Sequence, residues 1–239
     1  MNIVVINGTE KKGVTYNIKE LFLENFKNEA NIREFYLPKD YPNFCAGCTL
    51  CFKKSELLCK DVRYVQEIEK AIIESDLVIF TSPVYVYHCT GAIKTLLDHL
   101  GYRWMIHRPA KEMFGKRALI ITQCVGGGAK TAAKDIKDSL SWWGISRINV
   151  FTAKLMNELL WDKLSDDKKK HITKKIKKVS NKLSRVDYSK PARTKFMIKI
   201  KFNICRKIQK SIQAKNPDSV DYKYWEENGW LKTNRPWKF

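Results

Sequence analysis

Four cysteines lie close together in one segment, with the spacing Cys45-x2-Cys48-x2-Cys51-x7-Cys59. Thiolates at such short intervals are the usual ligands of a [4Fe–4S] cluster. A zinc site built from cysteines more often uses two separated Cys-x2-Cys pairs, and free thiols or a redox-active pair are further interpretations. The segment therefore predicts metal or thiol chemistry, and its spacing leaves these alternatives open.

The chain contains seven cysteines, an odd number that argues against a disulfide framework. We expect two of the remaining three, Cys89 and Cys124, to be small packing residues. Cys205 has no predicted role.

A second chemical feature is the loop over residues 7–15, between an apolar run at 3–6 and a helical pattern that starts at Tyr16. Glycines permit a tight turn, while hydroxyls, lysines and the free N–H groups at a helix start can hold a phosphate. The residues of this type are Gly8, Thr9, Lys11, Lys12, Gly13 and Thr15. The order of residues matches neither the P-loop pattern nor the dinucleotide pattern Gly-x-Gly-x-x-Gly, so both of those sites are disfavoured.

Apolar runs of strand length alternate with amphipathic helical patterns at spacings of about 30 residues, which is typical of an α/β fold. The predicted strands cover residues 2–6, 32–37, 77–80, 118–121 and 148–151. We predict a doubly wound, five-stranded parallel sheet in the flavodoxin-like order 2-1-3-4-5. This domain should span residues 1–185, with the cysteine segment 45–59 inserted in it and a helical, aromatic C-terminal extension over 186–239.

Ligands of such sheets bind outside the carboxyl ends of the strands. Three loops should meet there, over residues 7–15, 81–87 and 122–128. The first can hold a phosphate, the second offers an aromatic wall, and the glycines of the third let a flat ring approach the backbone. The combination suits a mononucleotide that carries a large planar group.

Three stretches resemble the flavin-binding segments of the NADPH-dependent FMN reductase family, which is flavodoxin-like in fold. They are Gly8-Thr9-Glu10-Lys11-Lys12-Gly13-Val14-Thr15, Ser82-Pro83-Val84-Tyr85 followed by Gly91-Ala92-Ile93-Lys94-Thr95-Leu96-Leu97-Asp98, and Gly126-Gly127-Gly128. The cysteine segment resembles that of the iron-sulfur flavoprotein branch. The similarity covers residues 1–151.

The resemblance implies roles for individual residues. The FMN phosphate would be held by Thr9, Lys11, Gly13, Val14 and Thr15. The ribityl chain and the ring would lie along Ser82, Pro83, Val84, Tyr85 and Val86, with Gln123, Gly126 and Gly127 closing over the ring. Cys45, Cys48, Cys51 and Cys59 would hold the cluster. The chain departs from the family at Glu10, Val14 and His99, where proline, asparagine and arginine are usual.

The implied function is that of an FMN-dependent oxidoreductase that passes electrons from NAD(P)H through FMN to an unidentified acceptor. The alternative is an iron-sulfur flavoprotein that carries electrons between redox proteins. No catalytic side chain is predicted. We expect Lys94 and Asp98 to form a surface ion pair and His107 and Arg108 to be solvated loop residues.

The net charge of +20 is concentrated in residues 160–215, which hold 19 Lys and Arg against 4 Asp. We interpret this block as solvated helical surface and do not expect nucleic acid as a partner. For residues 191–239, a membrane-surface segment is the runner-up interpretation. The aromatic residues after 191 should pack on the domain or on a second subunit, so we predict a homodimer or higher homo-oligomer. No signal peptide or membrane span is evident, and we expect a cytoplasmic protein.

Overall fold

The structure is a computed structural model that describes residues 1–155, 160–213, 216 and 218–239. Its strands are β1 (Asn2–Asn7), β2 (Asn31–Tyr36), β3 (Leu77–Pro83), β4 (Arg117–Cys124) and β5 (Arg147–Lys154). Its α-helices are α1 (Val14–Leu23), α2 (Leu50–Lys53), α3 (Val62–Glu74), α4 (Gly91–His99), α5 (Ala129–Trp143), α6 (Asp166–Ser184), α7 (Phe196–Gln213) and α8 (Val220–Glu227). Residues 214 and 215, the end of the predicted basic block, lie outside the described residues.

All neighbouring strands pair in parallel, in the order β2-β1-β3-β4-β5, which confirms the predicted sheet. Every residue of β3 is buried, whereas exposure alternates along the edge strand β2. This difference is expected because helices cover both faces of the central strands. The helix predicted before Gly144 also ends there, and Gly144 takes the left-handed conformation with φ of 111°.

Two strands extend further than predicted. Ser82 and Pro83 were expected in a loop, yet they continue β3 and pair with Thr122 and Gln123 of β4. The cause is that parallel pairing persists wherever both strands stay buried, and a proline is tolerated at a strand end. The second and third loops are therefore shorter than expected and their first residues are rigid.

The sheet separates two apolar layers. On one side, α1 and α6 cover Ile3, Val5 and Ile79. On the other side, α3, α4 and α5 cover Val4 and Phe80. Because alternate residues of a strand point to opposite faces, each central strand contributes to both layers.

The C-terminal aromatic residues form a third apolar cluster with residues of the sheet domain. Trp225 is fully buried, stacks on Phe202 of α7, and donates a hydrogen bond from Nε1 to the carbonyl of His107 at 2.6 Å. Phe202 also contacts Phe114, which precedes β4. This packing removes the reason for expecting a second subunit over the aromatic residues, and the homodimer stays a prediction.

Within the part of the chain that the structure describes, no helix has the length and apolar character needed to cross a membrane.

We expect Trp225→Ala to lower the free energy of unfolding by about 3–5 kcal/mol, the usual effect of truncating a fully buried tryptophan. Phe239→Ala is the matched control, because Phe239 is 60% exposed and its loss should change stability by about 0.5 kcal/mol or less. Urea unfolding followed by tryptophan fluorescence and far-UV circular dichroism measures both variants. Equal stability of the two variants would contradict the role given to the third cluster.

Candidate functional site

A cleft of about 840 Å³ opens at the carboxyl ends of β1, β3 and β4. It is lined by Thr9, Lys11, Lys12, Gly13, Val14, Thr15, Pro83, Tyr85, Gln123, Leu160 and Lys163. The cleft thus contains residues from all three predicted loops, including the complete set proposed for the phosphate. It also contains Lys12, which the sequence indicated as part of the phosphate loop, and Leu160 and Lys163, which the sequence did not assign to the site.

The first loop is held against β3 by close packing. The Gly8 N–H donates to the carbonyl of Thr81 at 2.8 Å. A Cβ at Gly8 would lie 2.8 Å from Ile93 Cγ1 and 2.9 Å from the Thr81 carbonyl oxygen, so no larger residue fits there. The loop must therefore pass directly over the end of β3 before it enters α1.

One end of the cleft is the start of α1. Gly13 occupies the N-cap position in an extended conformation, and no side chain of the described residues caps the helix. The first N–H groups of a helix have no partner within it and carry the positive end of its dipole. Lys11 and Lys12 are exposed beside them, whereas Glu10 does not line the cleft. This end of the cleft is suited to an anion.

Two residues that line the cleft each have a buried polar atom with no hydrogen-bond partner among the described residues, Thr15 Oγ1 and Gln123 Oε1. Each belongs to a residue with under a tenth of its surface exposed. Buried polar groups are normally hydrogen-bonded, because leaving one unpaired costs about 1–3 kcal/mol. A polar ligand in the cleft would satisfy both atoms, Thr15 Oγ1 near the α1 N-terminus and Gln123 Oε1 at the end of β4.

The second loop forms a tight turn that reaches into solvent. Tyr85 and His88 exchange both backbone hydrogen bonds at 3.0 Å, and the two residues between them, Val86 and Tyr87, have positive φ angles of 48° and 68°. Positive φ is unusual for a tyrosine and strained for a β-branched valine. The turn leaves Tyr85 half exposed at the mouth of the cleft and Val86 93% exposed.

The third loop supports this turn. Gly128 has a φ of 89°, and a Cβ there would lie 2.7 Å from the Cα of Tyr87. Gly127 faces the Tyr87 ring, and a Cβ at Gly127 would lie 3.3 Å from Cε1 of that ring. Tyr87 and Gly128, which the sequence placed in the second and third loops without individual roles, therefore set the position of the exposed turn.

Gly126 and Gly127 do not line the main cleft. They border a second cleft of about 530 Å³, with Lys130, Lys154, Lys168, His171 and Lys175 among the other lining residues. Their proposed position over a flavin ring stays a prediction.

The proposed site residues of the second loop differ in what their side chains face. The Ser82 hydroxyl is fully buried, donates to the Pro83 carbonyl at 2.8 Å and accepts from the Thr90 N–H at 3.1 Å. It holds the start of α4. Val84 packs on the core, and its N–H donates to the Gln123 carbonyl at 2.9 Å. Of this group, only Pro83 and Tyr85 border the main cleft.

The four predicted cysteine ligands line one smaller pocket of about 230 Å³ in the connection between β2 and α3. Cys45 and Cys48 are exposed, and Cys51 and Cys59 are half-buried. Burial raises the pKa of the Cys51 and Cys59 thiols, and the neighbouring cysteines raise that of Cys51 further. A raised pKa disfavours the free thiolate, so neither Cys51 nor Cys59 is an activated nucleophile in the metal-free pocket.

A buried polar pair lies beside Cys59. His99 Nε2 is 3.3 Å from Asp61 Oδ2, and His99 Nδ1 is 3.0 Å from the Thr95 carbonyl oxygen. Asp61 also accepts a hydrogen bond from Asn43 Nδ2 at 2.8 Å. His99, one of the three residues that depart from the family pattern, thus anchors the end of the cysteine segment to α4.

Arg108 is buried and His107 is half-buried, whereas both were predicted to be solvated loop residues. Arg108 is 5% exposed and donates to the Cys51 carbonyl, to Glu56 and to Asp221 of α8. His107 Nδ1 lies 2.7 Å from the other oxygen of Asp221. The cause is the C-terminal extension, which brings a carboxylate over this loop. The predicted surface ion pair between Lys94 and Asp98 is present, and Cys89 and Cys124 are buried as expected.

The sequence profile of a family described as NADPH-dependent FMN reductase matches residues 1–157. The chain belongs to this family. The assignment confirms the resemblance seen in the three loop segments, and it identifies FMN as the cofactor for which the main cleft has to be considered.

Among curated relatives of this FMN reductase family member is an iron-sulfur flavoprotein of Archaeoglobus fulgidus. It is 30% identical over 149 residues, which is 61% of this chain and 64% of the relative, so the alignment spans just under two thirds of that protein. An FMN-dependent NADH-azoreductase of Bacillus anthracis, solved in complex with FMN, aligns with a TM-score of 0.60 and 14% identity over 77% of this chain and 100% of its own. A flavone reductase aligns with a TM-score of 0.59 and 12% identity over 98% and 99% of the two chains. At these identities the two solved structures show a shared fold.

We expect Gly128→Ala to lower the free energy of unfolding by about 1–2 kcal/mol for the left-handed backbone alone, and by more because the new Cβ meets Tyr87. Gly126→Ala is the control, since a Cβ at Gly126 meets nothing within 4 Å, and its effect should stay within about 0.5 kcal/mol. Thermal unfolding of the flavin-free proteins measures both. Similar losses of stability in the two variants would show that neither the Tyr87 contact nor the left-handed backbone at position 128 requires a glycine there.

Proposed function

We propose that the chain is an FMN-dependent oxidoreductase that takes electrons from NAD(P)H and passes them to an acceptor at the carboxyl edge of the sheet. The observation that carries the proposal is the pair of unpartnered buried atoms, Thr15 Oγ1 and Gln123 Oε1, in one cleft with the uncapped start of α1. A phosphate near Thr15 and a polar ring edge near Gln123 would satisfy both.

The residues of the first loop would bind the phosphate by two means. The N–H groups at the start of α1 and the Thr15 hydroxyl donate hydrogen bonds, and Lys11 and Lys12 supply charge from the rim. The Thr9 hydroxyl already accepts from the Lys11 N–H at 3.2 Å, so it orders the loop and its own proton remains available as a donor.

Residues of β3 and β4 would orient the planar part of the cofactor. Pro83 and Gln123 pair with each other across β3 and β4, so backbone pairing fixes their relative position. Tyr85 supplies an aromatic wall at the cleft mouth, on a turn whose backbone is held by the contact between Tyr87 and Gly128. When bound, FMN supplies the acceptance of hydride and the release of electrons singly or in pairs. The protein then has to bind and orient FMN and to exclude water from the cleft. No side chain is required as an acid or base for the hydride transfer.

We further propose that Cys45, Cys48, Cys51 and Cys59 hold a [4Fe–4S] cluster. The position of all four cysteines around one pocket supports ligation of a metal, and the relative from Archaeoglobus fulgidus is named as an iron-sulfur flavoprotein. With a cluster, the acceptor or donor would be a one-electron redox protein, which is the alternative function as an electron carrier. Anaerobic mixing with NADPH and with NADH separates the two functions, because a flavin that neither nicotinamide reduces would exclude the reductase.

We expect Thr15→Val to weaken FMN binding about ten- to a hundredfold, because it removes a buried donor to a charged group without changing the side-chain volume. Thr131→Val is the control, since Thr131 lies in the second cleft. Fluorescence titration of the flavin-free proteins gives both dissociation constants. Weaker binding by Thr131→Val alone would place the phosphate in the second cleft and refute the proposed site.

We expect Cys59→Ser to lower the iron and acid-labile sulfide content of anaerobically purified protein while leaving FMN content unchanged. Serine is a poor ligand for such clusters, and Cys59 lies outside the flavin cleft. Cys205→Ser is the control because Cys205 is buried in the C-terminal aromatic cluster. Wild-type protein that contains FMN but neither iron nor sulfide after anaerobic reconstitution would rule the cluster out and leave the FMN site standing.

A further inference from the structure

Helix α7 buries one face and leaves a second apolar face in solvent. Ile198, Phe202 and Cys205 pack in the third apolar cluster. Apolar residues on another side of the same helix remain exposed: Phe196 is 75% exposed, Met197 63%, Ile204 53% and Ile208 43%. An apolar surface of this kind on a helix that is already anchored needs a separate explanation.

The exposed residues form a continuous stripe. Phe196, Ile204 and Ile208 are separated by multiples of four residues, and Ile200, also incompletely buried, fills the remaining position of that series. In an α-helix such residues lie above one another with a slow drift around the axis. The stripe is therefore a distinct face, whose centre lies about 150° around the helix from the centre of the buried face.

The stripe is bordered by positive charge. The 18 residues of α7 include five Lys or Arg and no Asp or Glu. Lys207 and Lys210 are exposed, and Lys195 immediately precedes the helix and is also exposed. Apolar residues flanked by Lys and Arg are the pattern of helices that lie in a membrane interface, where the apolar side chains enter the lipid and the basic ones meet anionic headgroups.

We propose that the exposed face of α7 binds the surface of a membrane that contains anionic phospholipids. The sequence could not distinguish this face, because the apolar residues of the two sets alternate along α7. The structure divides them into a set that holds the helix to the domain and a set that remains in solvent. Anchoring by the buried set keeps the helix preformed, so no ordering of the chain opposes binding.

A second copy of the chain is a poorer partner for this face. In a symmetric dimer the same surface meets itself, so the basic residues of one α7 would lie against those of the other with no acidic residue on either helix to neutralise them. A nucleic acid would neutralise the Lys and Arg side chains of α7 but would leave the apolar stripe exposed to water. An anionic bilayer satisfies both features.

The test is cosedimentation of the full-length, FMN-loaded protein with vesicles of phosphatidylcholine alone or mixed with phosphatidylglycerol. Wild-type protein should sediment with the mixed vesicles and stay in solution with phosphatidylcholine alone. Phe196→Gln together with Ile204→Gln should reduce the partition coefficient by about tenfold or more, and Lys207→Gln together with Lys210→Gln should do the same. All four side chains are incompletely buried, so the fold should be retained, which circular dichroism verifies.

Lys174→Gln together with Lys178→Gln is the matched control, because it removes the same charge from exposed positions of α6. Retained vesicle binding by this variant supports the proposal. Failure of the wild-type protein to bind mixed vesicles would overturn it, and so would equal loss in the α6 variant, since binding would then follow from net charge alone. A wild-type dimer in solution that Phe196→Gln with Ile204→Gln converts to a monomer would identify the stripe as a protein interface instead.

Discussion

The parallel pairing of β1 with β3 is the constraint on which the rest of the structure depends. It brings the end of β1 beside Thr81, and the hydrogen bond from the Gly8 N–H to the Thr81 carbonyl turns the chain across the sheet edge into α1. With all five strands parallel, the loops that leave their carboxyl ends emerge on one side. The end of the cleft at the α1 N-terminus, the tyrosine turn and the cysteine segment follow strands whose carboxyl ends lie at this one edge of the sheet.

The main cleft combines residues held in regular secondary structure with one strained turn. Thr15, Pro83 and Gln123 belong to regular elements, so their positions follow from helix and sheet geometry. The strained part is the turn at Val86 and Tyr87, which is supported by Gly128 at a backbone angle that favours glycine. Strain of this kind persists only where the surroundings impose it, and here it leaves Tyr85 at the mouth of the cleft.

The C-terminal extension is structurally connected to the cysteine pocket. Arg108 is the link, because its buried guanidinium contacts the carbonyl of Cys51, Glu56 beside it, and Asp221 of α8. A buried charge is stable only when paired, so removal of Asp221 would leave Arg108 without a main partner. The extension thus contributes to the shape of the loop that presents the cysteines, in addition to carrying the exposed face of α7.

The sequence by itself determined the strand and helix pattern, the sheet order, the family and the segments that carry the chemistry. These follow from local periodicity, turn residues and short motifs, each of which is readable within a few residues. Only the tertiary structure decided that the Ser82 hydroxyl hydrogen-bonds backbone groups of the protein and that Gly126 and Gly127 border a separate cleft. It also decided that Arg108 is buried in a contact with Asp221, 113 residues away in the chain. Those outcomes depend on contacts between distant segments, whose geometry arises when the elements pack and has no signature in either segment alone.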